Sequence, residues 1–502
     1  MHMKLQPREY QKKIFDAISA SGNTLVVLPT GLGKTLIAFM LIEWKMKQGK
    51  CLFLAPTKPL VKQHLVSFSD ISDVNPDIVT IVTGEIPKKK RAPLYNKQII
   101  FSTPQTIKND LRSGVFNTPG TVSLCIFDEA HRAIGNYAYT SVAEKLRENA
   151  LIVGLTASPG GNRERINKIL ENLFIKNVQI RSKHDTDVAP YVKDIKISWI
   201  ETSLTPDLME IKNNLDLLIK ENARKLSSFG YPPPLKSKRL FMALRQRILN
   251  HPSNAKYAAL VVYSVLLNLL HMQELVETQG PGVLRKYVEK LKQKETKSAK
   301  ILLKKPQFIA IENILLNSTE EHPKLGLLTG LLQSHPGKSM VFAQYRDQVA
   351  LIEKTLNQTG ISARMFLGRK GEYTKKEQEE TIAQFREDKF RVLVASSIGE
   401  EGLDIPAVDN VIFYEPTPSE IRSIQRRGRA GRFKDGNVYI LITKGTRDEY
   451  FYWASFNREK RMKSILGRMQ DSQSAKTRQT GKPTANKIKT DKSGQSSLDS
   501  FF

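Results

Sequence analysis

Short unbroken apolar runs recur through the first third of the chain, each followed by a stretch with helical spacing. Leu25–Leu28, Cys51–Ala55, Ile99–Ser102, Leu124–Asp128 and Leu151–Thr156 read as strands buried on both faces. Strands alternating with helices predict a parallel, doubly wound α/β lobe over residues 1–188. A second set, Ser339–Phe342, Ala363–Leu367, Val392–Ala395, Asn410–Tyr414 and Asn437–Ile442, predicts a similar lobe over 322–469. Between them lies an insert placed at 189–321, in which, from about 200 to 320, apolar positions recur every three or four residues, as in Leu208, Ile211, Leu215, Leu218 and Ile219. That spacing predicts an all-helical insert, broken at Gly230-Tyr231-Pro232-Pro233-Pro234. The pattern fades after Trp453, and 470–502 reads as a flexible basic tail.

The first apolar run leads into Thr30-Gly31-Leu32-Gly33-Lys34-Thr35, then into the helical run Leu36–Leu41. Strand, glycine loop and helix in that order can turn successive backbone amides toward a polyphosphate. Lys34 would reach the β- and γ-phosphates of ATP, and the Thr35 hydroxyl would meet Mg²⁺. The full phosphate-loop pattern asks for Gly at the position of Leu28, so the loop alone is an imperfect match. The run ending in Asp128-Glu129-Ala130-His131 supports it. Carboxylates at the carboxyl end of a buried strand sit where open α/β sheets bind ligands. Asp128 can hold Mg²⁺, and Glu129 can orient or deprotonate an attacking water. The second lobe has no such loop, so the two sheets suggest a nucleotide held between two lobes.

Charge changes the picture next. The chain has 78 Lys+Arg against 50 Asp+Glu, a net +28, which points to a polyanionic partner and first of all to nucleic acid. The segment 201–320 carries 19 basic and 11 acidic residues, densest from Arg285 to Lys305. A run of this kind is a solvated helix face as readily as a binding face. Cys51 and Cys125 fall inside buried strands and read as small core residues. The N-terminus lacks a signal-like apolar region, and the stretch around Ala258–Leu270 reads as too short to cross a bilayer. An intracellular protein is expected.

Further motifs fall in order. Gln11, in Pro7-Arg8-Glu9-Tyr10-Gln11, can read an adenine edge with its amide. Thr57 and Lys58 leave the second strand, and Thr103 and Gln105 leave another; hydroxyls and amides at helix starts suit nucleic-acid phosphates. Thr156 and Ser158 end a strand beside the Asp-Glu-Ala-His segment, placed with His131 to link hydrolysis to lobe movement. In the second lobe, Ser396 to Pro406 follows a buried strand, and Gln425-Arg426-Arg427-Gly428-Arg429-Ala430-Gly431-Arg432 comes soon after. Arg429 and Arg432, three apart, share a face and can act as arginine fingers on a γ-phosphoryl group.

This ordered set, spanning 7–432, resembles the superfamily-two DEAH helicases and translocases. Two RecA-like lobes with a helical insert between them look closest to the archaeal Hef proteins and their FANCM relatives; RIG-I-like RNA-sensing ATPases share the plan. The resemblance implies ATP and Mg²⁺ as cofactors and forked or branched DNA as partner, gripped by the insert. It assigns Lys34, Asp128, Glu129, Gln425, Arg429 and Arg432 to hydrolysis. It adds Arg8, Gln11, Thr30, Gly31, Gly33, Thr35 and Asp404 to the nucleotide contacts. A cytoplasmic, nucleoid-associated setting is the matching expectation. No nuclease motif of the Hef type is present. The last residues, Gln495, Leu498, Phe501 and Phe502, resemble a box that binds the PCNA sliding clamp. Leu498 and the two rings would fill one apolar pocket, while Gln495 anchors by hydrogen bonds.

Overall fold

The computed structural model describes residues 4–192, 195–235, 237–251, 254–368, 374–396, 405–427 and 436–480. The first sheet has seven strands: β1 (Thr24–Val27), β2 (Lys50–Leu54), β3 (Val79–Val82), β4 (Ile99–Ser102), β5 (Val122–Asp128), β6 (Leu151–Thr156) and β7 (Asn177–Ile180). Their order is β3-β4-β2-β5-β6-β1-β7, all parallel. Successive residues of one strand feed opposite cores. Leu52 and Leu54 belong to one apolar cluster, Cys51 and Phe53 to the other. This two-sided burial is why these strands read as unbroken apolar runs.

The second sheet comprises β8 (Ile195–Thr202), β9 (Ser339–Phe342), β10 (Ala363–Phe366), β11 (Val392–Ala395), β12 (Asn410–Phe413) and β13 (Gly436–Thr443). Its order is β10-β11-β9-β12-β13-β8, again all parallel. The chain is therefore built from two doubly wound α/β lobes, as the apolar runs predicted.

The boundary of the insert needs correction. Residues 189–321 were expected to be all helical, but β8 lies inside that range and pairs with β13 along its whole length. The chain enters the second lobe, lays down an edge strand, and only then makes the helices from Pro206–Ser228 to Pro306–Asn317. The insert thus interrupts the second lobe. Its central helix, Lys256–Thr278, is by length and composition long enough to cross a membrane, contrary to the reading of 258–270 as too short. Here its Val262, Leu266 and Leu269 form the insert's own core with Ile211, Leu215 and Leu218 of the helix Pro206–Ser228.

The basic run of the insert is largely engaged within the protein. The Arg285 guanidinium donates to the carbonyls of Leu315 and Ser318, stapling two helices together. Lys292, Lys300 and Lys305 pair with Glu312, Glu295 and Glu221.

A buried polar joint ties the insert to the second lobe. Tyr345 donates its hydroxyl to Glu274 at 2.7 Å, and Arg447 donates through its main-chain N–H to Glu277 at 3.1 Å. Beneath them Lys324 and Asp448, both fully buried, form an ion pair. Burial raises the Asp448 carboxyl above its ordinary value against the pull of Lys324.

The helix Arg447–Thr480 runs past the expected start of the tail at 470. Residues Gln473, Ala475, Lys476, Arg478 and Gln479 are good or fair helix formers, and Gly481 and Pro483 come only after them.

Candidate active site along the carboxyl edge of the first sheet

In a parallel sheet all strands end on the same edge, and the loops leaving them face one crevice. Along this edge the strand order sets Thr103 and Gln105 after β4, Thr57 and Lys58 after β2, Asp128 and Glu129 at β5, Thr156 and Ser158 at β6, and the Thr30–Thr35 loop after β1. Residues scattered from 30 to 158 in sequence are thereby ordered along a single line.

The loop has the geometry of an anion cradle. Gly31 and Gly33 hold φ of 81° and 70°, a left-handed backbone that side chains resist. A Cβ on Gly33 would lie 2.4 Å from Gln11 Nε2. The helix Lys34–Lys45 starts on Gly33 with no side-chain cap, so its N-terminal amides and dipole are not blunted by a capping group. Lys34 Nζ donates to the carbonyls of Leu28 at 2.8 Å and Pro29 at 3.3 Å, over the mouth of the loop. Thr30 and Thr35 are half-buried beside it. Amides, one ammonium, one hydroxyl and two neighbouring carboxylates form a donor set that fits a polyphosphate with Mg²⁺.

At the adjoining end, the Gln11 amide donates to Leu32 O at 3.2 Å and accepts from Arg8 N at 2.8 Å. The Arg8 guanidinium lies 4.6 Å over the ring of Tyr191, whose centroid is 5.8 Å from that of Tyr10. Tyr191 sits in the connector between lobes and was not singled out from sequence.

Glu129 leaves β5 with φ 51°, a left-handed conformation that costs a non-glycine residue about 1–3 kcal/mol. Burial pushes its carboxyl up. His131, Lys34 and Arg132 together outweigh that and bring it down to about 2, so it is ionised at neutral pH. His131 Nδ1 lies 3.3 Å from Glu129 Oε2 and 3.3 Å from Thr156 Oγ1. Thr156 Oγ1 in turn accepts from Ser158 N at 3.1 Å. The expected link between the Asp-Glu-Ala-His segment and the Thr156–Ser158 turn is thus a continuous chain of polar contacts.

Asp128 is buried, with Oδ2 2.9 Å from His64 Nε2 and its carbonyl accepting the Tyr139 hydroxyl at 2.6 Å. His64 was missed from sequence. The signal available was its place on the apolar stripe of Val61 and Phe68 in the helix Lys58–Ile71, where a polar residue is out of pattern.

The candidate nucleic-acid contacts are already partly engaged. Thr57 and Thr103 are the N-cap residues of their helices. Lys58 pairs with Glu85 at 3.2 Å, Thr103 and Thr106 share a hydroxyl contact at 2.8 Å, and Gln105 is exposed.

Across the cleft, Gln425 lies on the helix Glu420–Arg427, buried, with neither amide atom meeting a hydrogen-bond partner among the described residues. Its neighbours are used structurally. Arg426 stacks over Phe342 and Phe413, and Arg427 pairs with Glu459 of the helix Arg447–Thr480. That long helix then crosses to the first lobe, where Met462 and Leu466 enter its core and the Ser158 hydroxyl donates to Met462 Sδ at 3.0 Å. Glu420 accepts from Gly161 N at 2.9 Å in the same region. Asp404, Arg429, Arg432, Gln495, Leu498, Phe501 and Phe502 lie outside the described residues.

Comparison with known proteins identifies relatives of the chain. The family model for the res subunit of type III restriction enzymes matches residues 4–161, and that for the helicase conserved C-terminal domain matches 323–434. A putative ATP-dependent RNA helicase of Methanocaldococcus jannaschii is 39% identical over 93% of the chain and 62% of its own length. The ATP-dependent DNA helicase mph1 of Neurospora crassa is 34% identical over 91% of the chain and 42% of its own length. The chain therefore spans less than two thirds of these relatives. The crystal structure of the Hef helicase domain of Pyrococcus furiosus superposes with a TM-score of 0.69 at 40% identity, covering 90% of this chain and 98% of that one. With nearly the whole of that helicase domain matched, the chain belongs to the superfamily-two helicases of the Hef, FANCM and Mph1 family.

Proposed function

We propose that this chain is an ATP-dependent DNA helicase or translocase that remodels or unwinds forked or branched DNA in replication-fork repair, tethered to the PCNA clamp. The observation that carries the reading is the single carboxyl edge, on which the candidate nucleic-acid contacts, the acidic pair, the Thr156–Ser158 turn and the glycine loop lie in that order. Relatives named as DNA helicases, from Neurospora crassa and Schizosaccharomyces pombe, support DNA as the substrate.

In this reading each residue has a role. The loop amides and Lys34 hold the β- and γ-phosphates, and Arg8 and Gln11 bracket the adenine. Mg²⁺ bound by Thr35 and Asp128 would neutralise part of the phosphate charge. Glu129, ionised and fixed by His131, orients the attacking water. A carboxylate held near 2 is a weak base, and moving Lys34 onto phosphate would let its affinity for a proton rise. His131, Thr156 and Ser158 carry the change at Glu129 to the long helix through Met462. The insert, joined to the second lobe, moves its exposed lysines Lys297 and Lys304 with that lobe against the branch of the DNA.

ATPase and unwinding measured side by side on single strand, duplex, fork and four-way junction, in DNA and RNA, test the reading. Fork or junction DNA is expected to stimulate most. A nucleic-acid sensor without strand separation is the second reading, and the RNA helicase name of the Methanocaldococcus jannaschii relative favours RNA for it. Stimulation by duplex RNA with no unwinding of any substrate would select that alternative.

Arg429→Ala or Arg432→Ala is expected to lower kcat by about 10³-fold while ATP affinity changes far less, because a finger acts on transition-state charge. Loss of DNA binding alone would move that residue to the nucleic-acid surface.

Removing 495–502 is expected to leave ATPase and fork binding unchanged and to abolish clamp binding. Leu498, Phe501 and Phe502 would each contribute roughly 1.5–3 kcal/mol of burial before ordering costs. Calorimetry with a peptide of this segment and purified PCNA checks it. Equal heat from the peptide with both phenylalanines replaced by Ala would remove the clamp from the proposal.

A further inference from the structure

Asp128 is held by a residue from a different motif. His64 Nε2 lies 2.9 Å from Asp128 Oδ2, and both residues are less than a tenth exposed. An ionised carboxylate only accepts, so the imidazole donates at Nε2. The ring has little room to turn. It packs 4.6 Å from the ring of Phe53, which stacks on Phe101, while Phe68 one turn further on meets Phe39 edge-on. The terminal torsion of an aspartate is soft by itself. The imidazole on Oδ2 restrains the plane of the carboxylate, while Tyr139 on the residue's main-chain carbonyl holds the backbone that carries it.

The helix that carries His64 begins at the nucleic-acid edge. Thr57 is its N-cap and Lys58 its first residue. His64 lies six residues beyond Lys58, which is about 9 Å along the axis. A helix of this length moves as a unit, so a displacement at its first turn is a displacement of the imidazole. Lys58 pairs with Glu85 at an exposed surface. A phosphate that takes over the Lys58 ammonium supplies a force on the helix start.

We infer that His64 is a positioning residue that transmits nucleic-acid contact at the start of the helix Lys58–Ile71 to the metal-binding carboxylate of Asp128. The inference rests on the ATPase reading above and deepens it. Seating the helix on nucleic acid sets the carboxylate for the metal, which gives hydrolysis its dependence on nucleic acid. The coupling belongs to a side-chain hydrogen bond rather than to the lobes' closure as a whole.

His64→Leu and His64→Gln in the full chain test it. Leu fills the space without a donor; Gln offers an amide N–H in the same direction. Three quantities are measured: Mn²⁺ affinity by electron paramagnetic resonance with a non-hydrolysable ATP analogue, ATPase with and without fork DNA, and fork affinity by anisotropy without nucleotide. His64→Leu is expected to weaken Mn²⁺ binding about tenfold, as loss of a partner behind a ligand does, and to lose most of the DNA stimulation. Fork affinity stays at the parent value, and His64→Gln stays close to the parent in all three. Parent-like Mn²⁺ affinity and stimulation in His64→Leu would overturn the inference. Equal impairment of both variants with lowered unfolding midpoints would overturn it too, since packing rather than donation would then be at stake. A parent chain that no nucleic acid stimulates would refute the function reading instead, while the Mn²⁺ measurement still decides the link between His64 and Asp128.

Discussion

Lys34→Ala is expected to stop ATP turnover while leaving nucleic-acid binding intact. Lys34 is the ammonium at the mouth of the glycine loop, bonded to the carbonyls of Leu28 and Pro29. Placed on the γ-phosphate, it meets charge that grows in the transition state, and removing one such donor lowers kcat by about 10²–10³-fold. It also withdraws one of the charges that hold Glu129 near 2. The candidate nucleic-acid contacts lie elsewhere on the edge, after β2 and β4, with β5 and β6 standing between them and the loop on β1. Steady-state ATPase with saturating fork DNA, beside filter binding of the same DNA, separates the two effects. Hydrolysis within a few-fold of the parent would remove the loop from the active site.

Lys324→Ala is expected to destabilise the second lobe where it supports its joint with the insert. Lys324 and Asp448 are both fully buried, and the carboxylate also accepts from Thr443 N at 3.0 Å. Taking away the ammonium leaves a buried carboxylate without its counter-charge, which costs about 3–5 kcal/mol. Part of that is relieved by protonation, because burial already raises the Asp448 carboxyl. The loss therefore grows as pH rises through the folded-state value of Asp448 and is smaller in acid. Replacing both residues together by apolar side chains of similar volume is expected to restore most of the stability, since a well-packed apolar pair can equal a buried ion pair. Chemical denaturation of the single and double variants at two pH values checks each step. A single variant as stable as the parent would show that the joint does not depend on this pair.

The strands that the apolar runs predicted are all present, their ends shifted by at most two residues. They are legible because most are interior strands, buried on both faces, where nearly every position must be apolar. The strands that were not predicted, β3, β7 and β8, are all sheet edges. Edge strands are partly exposed, so their apolar positions are interrupted; in β8 Ile197 and Trp199 are themselves exposed. The glycine loop and the Asp128–Glu129 pair were legible for a different reason. Their chemistry depends on neighbours in sequence, a strand before and a helix after, so the local pattern contains most of the site.

The contacts that sequence did not reveal join residues whose types are ordinary and whose separations are long. Ser158 meets Met462 and Gly161 meets Glu420 between the lobes, and Arg8 meets Tyr191 of the connector. His64 and Asp128 are set side by side only because β2 and β5 are neighbours in the sheet. The order of residues along the chain was enough to specify the two parallel lobes and to place the glycine loop and the acidic pair at strand ends, since periodicity and local geometry encode them. Three features came into view only with the packed molecule: the insert grows out of the second lobe, the terminal helix reaches back to the first, and His64 holds Asp128. These follow from strand order and side-chain packing, in which the energy of a contact depends on distance in space and leaves no period along the chain.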